Sequence, residues 1–233
     1  MPYSFPTIPD FKAQFMRDFP YAVPLLGGGS GAAATALVSG PNNSVSSLVL
    51  AASGTDYTET PTVLIYGGGG YGAAASAAIS GGVVSTLTLI NPGLGFTETP
   101  IVYLSNGLGD NSDFTKVTDY DLVSAFTSAT QFNLSFALFG SQAAFSVAVN
   151  LLSAHYLCLQ LQAGNTGLNG KAEWLTQAKM VGNVQESYQI PDRVMRSPYL
   201  SKLSKTTYGA LFLEFVSPLL IANYQSYYGG TQP

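Results

Sequence analysis

Positive charge is missing from a long run of this chain: between Gly27 and Leu104 there is no Lys or Arg, and the only acids are Asp56, Glu59 and Glu98. Over all 233 residues, nine Lys and Arg face 13 Asp and Glu, so 9% of the chain is charged, against roughly 25% in an ordinary globular domain. Such a surface suits close packing against other subunits, and the net charge of −4 argues against a general nucleic-acid coat. Cysteine is represented by Cys158 alone, which rules out an intramolecular disulfide and leaves the compartment open. The opening MPYSFPTIPDFKAQF lacks a basic start followed by an apolar run, which predicts no signal peptide. Apolar mass, by contrast, is plentiful: 46% hydrophobic residues can bury a real core, so disorder throughout is excluded.

The charge-poor run is a tandem duplication. GGGSGAAATALVSG to TPTVLIY (27–66) is followed by GGGGYGAAASAAISG to TPIVYL (67–104), with Thr58-Glu59-Thr60-Pro61 recurring as Thr97-Glu98-Thr99-Pro100. Tyr57 matches Phe96, and Gly54 matches Gly93. A repeat of this length marks a supersecondary unit stacked on its copy. Each unit offers three short strands: an Ala-rich one, VSSLVL or VSTLTL, and PTVLI or PIVYL. Residues 27–104 therefore read as a small all-β domain of about six strands.

The remainder reads as helical. Phe11, Phe15 and Phe19 put an apolar stripe on DFKAQFMRDF, which is too short to stand alone. Residues 105–118 read as a linker, and Thr118 with Asp121 forms a capping box that starts a helix near Asp119. Leu122, Ala125, Phe126, Ala129, Phe132 and Phe136 line its apolar face, and Gly140 is expected to end it. Gln142 to Gly164 reads as one long helix apolar on most sides, so it needs neighbours on several sides. Asn150, His155 and three glutamines interrupt it as a bilayer span, so no membrane partner is expected. Residues 171–181 read as an ambiguous short helix around Trp174, and VQESYQI (184–190) alternates like a strand. Ser197-Pro198 is an N-cap and N1 pair, opening a helical region to about Leu220 with a break near Pro218. The tail NYQSYYGGTQP reads as an extended arm.

Few residues invite chemistry. Both Gly-rich turns spell G-x-G-x-x-A, but the segment after each is strand-like and the motif is repeated, so its role is architectural. His155, the single histidine, faces the interior away from the Ser/Asn stripe and lacks partners for a nucleophile system or a zinc site. It reads as a hydrogen-bonded core residue. Asp110, Asp113, Asp119 and Asp121 do not fit a known Ca²⁺ loop and read as linker and capping acids. No catalytic, cofactor or metal residue is expected, and an enzyme is disfavoured. Tyr57, Tyr66, Tyr71 and Phe96 are aromatics that, if exposed, would stack on sugars, which supplies the alternative of a carbohydrate-binding or capsid-decorating module. Arg193, Arg196, Lys202 and Lys205 form the one basic run.

Three passages, LLSAHYLCL (151–159), VGNVQESY (181–188) and KTTYGALFLEFV (205–216), resemble in order the Ala-His helix, the Val-Gly-Asp-Val strand and the Thr-x-Tyr-Gly helix of a family of tailed-phage head-to-tail connector subunits, the DUF4054-type adaptors. DFKAQFMRDFPYA is similar to that family's Phe-rich start. Asn183, Gln185-Glu186 and the β-repeats depart from the family pattern. The resemblance implies an α+β chain: a small α-helical bundle adaptor domain (119–221, with 1–26 packed on it) bearing the two-repeat all-β insertion (27–104), which projects outward and can be excised without loss of the ring. It implies a structural virion protein made in the host cytoplasm. A ring of twelve copies would lie in the neck beneath the portal, join capsid to tail and let DNA pass. Partners would be sister copies, the portal protein, tail or neck proteins, and DNA without sequence preference. On that reading Val184, Glu186, Tyr188 and Ile190 add a strand to a neighbouring copy. Arg193, Arg196, Lys202 and Lys205 face the lumen or portal, and Tyr224, Tyr227 and Tyr228 of the arm (222–233) dock on the portal.

Overall fold

The strands of the duplicated region come in the order the repeats dictate, three from each copy. Repeat 1 supplies β1 (Ser30–Ser39), β2 (Ser44–Thr55) and β3 (Thr62–Tyr66); repeat 2 supplies β4 (Tyr71–Ser80), β5 (Val83–Leu94) and β6 (Ile101–Ser105). In this computed structural model, which describes residues 4–22, 29–105, 116–132, 134, 136–166, 178–181, 184–187 and 197–228, all six join one antiparallel sheet ordered β2-β1-β6-β3-β4-β5. The two end strands, β2 and β5, pack along each other, so the sheet is a nearly closed barrel.

The repeats interlock. Tyr57 of repeat 1 packs with Val84 of repeat 2 and donates its amide to Gly82 O at 3.0 Å. Phe96 of repeat 2 packs with Ala36 and Val45 of repeat 1 and donates to Asn43 O at 2.8 Å. Each ring is seated between two glycines. A β-carbon at Gly29 or Gly54 would strike the Tyr57 ring, and one at Gly70 or Gly93 would strike Phe96. Gly54 and Gly93 also carry φ of 66° and 64°, the left-handed region that glycine enters at no steric cost. The first glycine of each Gly-x-Gly turn, together with Gly54 or Gly93, is thus the seat of an aromatic plug.

Two helices share this core. α1 (Ile8–Gln14) is capped by Thr7 and Asp10, and α2 (Asp119–Thr130) by Thr118 and Asp121, each a complete capping box. Phe126 of α2 is fully buried, stacked on Tyr66 of β3 at 5.4 Å and edge-on to Phe11 at 5.5 Å and Phe5 at 5.7 Å. Phe11, Phe15 and Phe19 form one buried aromatic cluster. The Ile8 amide donates to the Tyr66 hydroxyl at 3.0 Å. Asp119, at the start of α2, accepts from Lys12 Nζ at 2.6 Å and from Ser105 Oγ at 2.8 Å. Tyr103 also bonds this carboxylate, and burial followed by the Asp119 charge pushes its hydroxyl up to about 12.

These contacts correct the expected α+β arrangement of a helical bundle carrying an all-β insertion. The chain divides into two compact units, Met1–Phe136 and Ala137–Pro233, and the first contains the barrel together with α1 and α2. The physical reason is that helices of seven and 12 residues cannot close a core by themselves, and the Tyr66 end of β3 offers them aromatic surface. α2 also stops short of Gly140, at Thr130. Thr127, Ser128 and Thr130 turn their hydroxyls onto the carbonyls of Val123, Ser124 and Thr127, which weakens continuation of the helix.

The second unit holds α3 (Gln142–Thr166), a hairpin of β7 (Ala178–Val181) and β8 (Val184–Ser187), α4 (Pro198–Leu203) and α5 (Thr207–Tyr228). Ser141 caps α3 through the Ala144 amide. Ala148, Val149, Leu151, Leu152, Ala154 and Leu157 are all buried, so α3 is enclosed on several sides, and α5 is one neighbour. Over Gln142–Gly164 it is long and apolar enough to cross a membrane by length and composition, and half of that window is buried inside the protein. Three expectations fail here. Residues 178–181 are strand rather than helix, α5 passes through Pro218 without a break, and the supposed extended arm is helical as far as Tyr228. Phe212 and Val216 are buried one turn apart on α5, so packing holds the helix across the lost amide of Pro218.

Candidate functional site

Two of the three passages that carry the family resemblance meet in space. His155, fully buried on α3, lies with Nδ1 2.6 Å from Thr206 Oγ1, just before α5. Thr206 Oγ1 in turn accepts the Gly209 amide at 3.0 Å, capping α5. Thr206 Oγ1 can accept the Gly209 amide and still pair with Nδ1, the ring tautomer setting which of the two donates. Gly209 has no room for a side chain: a β-carbon there would collide with the Leu203 carbonyl and fall 2.7 Å from His155 Nδ1. The Ala-His helix and the Thr-x-Tyr-Gly helix are therefore locked together by the residues that make each motif recognisable.

Electrostatics keep this histidine neutral. Burial, then the positive charge of Lys202, lowers its pKa to about 4. Lys202 itself sits with Nζ 4.8 Å from the centre of the Tyr156 ring, on the residue next to His155. Among the described residues, Nε2 is buried with no hydrogen-bond partner, as is Ser153 Oγ. A histidine beside a hydroxyl has the parts of a nucleophile and base, yet the pair is shielded from solvent and its charged neighbour is a cation, where a triad places a carboxylate. The arrangement is suited to pairing helices rather than to proton transfer with a substrate.

The residues expected to contact partners are spread along the second unit. Val184 and Glu186 lie on β8, opposite Val181 and Lys179 of β7, so this edge is a hairpin rather than a lone arm. Lys202 and Lys205 are exposed on α4 and the turn after it. Tyr224, Tyr227 and Tyr228 occupy the last turns of α5, at helical spacing. Tyr188, Ile190, Arg193 and Arg196 lie outside the described residues, as do Asp110 and Asp113. Among the described residues no group of three His, Cys, Asp or Glu side chains comes together to hold a metal. Tyr57, Tyr66 and Phe96 are buried, and of the repeat aromatics proposed for sugar stacking only Tyr71 is exposed. What sequence reasoning missed was the partner of His155. Its signal was present in the Thr-x-Tyr-Gly passage, where a threonine precedes a helix start and a glycine stands three residues further on.

No protein-family model, no curated protein and no solved structure matches this chain.

Proposed function

We propose that the protein is a structural virion subunit of the head-to-tail adaptor kind. Copies form a ring, of twelve, in the phage neck beneath the portal, joining capsid to tail around the DNA path. The observation that carries this reading is the His155–Thr206–Gly209 lock: the passages similar to the adaptor family act together in one helix pair. The very low charge of the chain supports function through close contact with sister copies and neighbouring parts. The β7–β8 hairpin, the Lys202–Lys205 corner and the tyrosine-bearing end of α5 are the surfaces assigned to those contacts. Because the barrel shares its core with α1 and α2, it is a fixed part of the first unit. Excising 27–104 would strip Tyr66 from Phe126 and Ile8, so the excised chain is expected to lose α1 and α2 with it.

The test is the mass of the purified protein alone and with portal, together with its position in intact particles. A twelve-copy ring that binds portal, and loses portal binding but not its fold when residues 222–233 are removed, supports the proposal. A stable single-copy species absent from the neck overturns it. The carbohydrate-binding alternative has lost Tyr57 and Phe96 to the core and is not favoured.

A further inference from the structure

Each repeat gives its third strand to the other. β3, the last strand of repeat 1, sits between β6 and β4 of repeat 2, and β6, the last strand of repeat 2, sits between β1 and β3 of repeat 1. The exchange is two-fold. Leu64 and Tyr103 hold the same place in the two repeats and are directly opposite each other, while Tyr66 with Ile101 at one end of this ladder answers Thr62 with Ser105 at the other. The Ala34–Val102 and Thr35–Ile101 pairs of β1 with β6 recur as Ala75–Val63 and Ser76–Thr62 of β4 with β3. The Tyr57 amide on Gly82 O and the Phe96 amide on Asn43 O are one bond made in both directions. A contact in which residue i meets j and j meets i is the kind that two identical copies form. Here both copies lie in one chain, joined through residues 67–70.

We propose that copies of this chain exchange repeats, repeat 1 of one copy closing the barrel with repeat 2 of another and residues 67–70 serving as the hinge. The pairing itself names the occupant: what fits between β6 and β4 is β3, and every copy carries one. The core is the same either way. The β3–β6 and β1–β6 ladders, both aromatic plugs and the stacking of Tyr66 on Phe126 all join residues on opposite sides of the hinge, so each is remade between two chains. Only the hinge differs. In it Gly67, Gly68 and Gly69 have φ of 78°, 65° and 77°, and a β-carbon at Gly68 would strike the Glu98 carbonyl. The chain therefore turns back sharply here. The register of β3 with β4 is Thr62–Ser76 and Val63–Ala75, whereas β3 runs beside β6 along its whole length, so the far strand holds it more than the near one. A short, sharply bent hinge is the kind that favours exchange between chains, and glycine straightens at no steric cost. The proposal concerns the first unit and does not depend on the adaptor assignment, whose contacts lie in the second.

The test uses full-length chains carrying Cys158→Ser. One chain with Thr35→Cys and one with Ile101→Cys are made together in the same cell and then oxidised mildly; the two positions are directly opposite in the barrel, on different repeats. An unexchanged barrel sets each cysteine against a native residue, so a disulfide joining the two chains reports exchange. It should form at least about tenfold more than in the control pair of Thr35→Cys with Ala78→Cys, whose partners in the sheet are Val49 and Ile101 for the first and Thr86 for the second. Thr62→Cys with Ser76→Cys, the equivalent pair, gives a second reading independent of Ile101. Inserting about four residues between Gly68 and Gly69 relaxes the turn and should cut the product severalfold. Cross-linking no greater than the control at both pairs, or a product indifferent to the insertion, overturns the proposal. Portal binding is measured on the same chains, so failure of the adaptor reading is seen separately from failure of exchange.

Discussion

In the first unit the aromatic plug of the barrel core occurs twice, and in the second the decisive contact occurs once. Tyr57 and Phe96 are the same plug in two copies, each seated on two glycines and held by an amide hydrogen bond across to the other repeat. His155 has no such echo: one histidine meets one threonine at one glycine. The difference teaches where a physical constraint leaves a visible trace. A duplicated packing motif prints the same residues twice along the chain, while a single buried polar contact prints two distant residues with nothing to link them.

The largest way to break the comparison is Phe126→Ala, which empties the site shared by α1, α2 and the barrel. It should cost about 3–5 kcal/mol in urea unfolding; a loss under about 1 kcal/mol would mean the helices do not depend on that ring. Gly54→Ala and Gly93→Ala come next, each expected to cost at least about 1–3 kcal/mol from backbone strain. Calorimetry should find the two alike, and a harmless change at either position would remove the plug explanation. Thr206→Val strips His155 and the Gly209 amide of their partner and should cost about 1–2 kcal/mol. Asp119→Asn, which loosens the anchor of Lys12 and Ser105, should cost about 1–2 kcal/mol and let the Tyr103 titration move down, readable by ultraviolet absorbance.

The gentlest effect is that of acid. His155 stays neutral to about 4 when folded against 6.5 for an ordinary histidine, so between those values the unfolded chain binds the extra proton. Its contribution to stability is intact above 6.5 and falls away as pH drops toward 4, by at most about 1.4 kcal/mol per pH unit. His155→Gln should flatten that stretch of the pH profile; an unaltered slope would assign the acid sensitivity to other groups.

Much of this was legible because it is local. Thr118 and Asp121 are three residues apart, and their capping box formed as spacing requires. Strand positions came from alternation and from the repeated Gly, Asn and Pro turns, and α3 from its long apolar run. Reading failed where packing outweighed local preference. Pro218 did not stop α5, the tyrosine tail did not extend, and 178–181 paired as a strand. Of the site, the buried, hydrogen-bonded role of His155 was readable from its place on the helix, whereas Thr206 was not, being 51 residues away in sequence.

By itself, the amino-acid sequence determined the two repeats with their matched glycines and aromatics, the helix starts and a surface nearly without charge, because each depends on neighbours a few residues apart or on a pattern printed twice. Only the tertiary structure decided that α1 and α2 belong to the barrel, that the two motif helices lock through one histidine, and that each repeat gives its third strand to the other. Those outcomes depend on which distant surfaces bury the most apolar area and leave the fewest polar groups unpaired, a competition that no local window records.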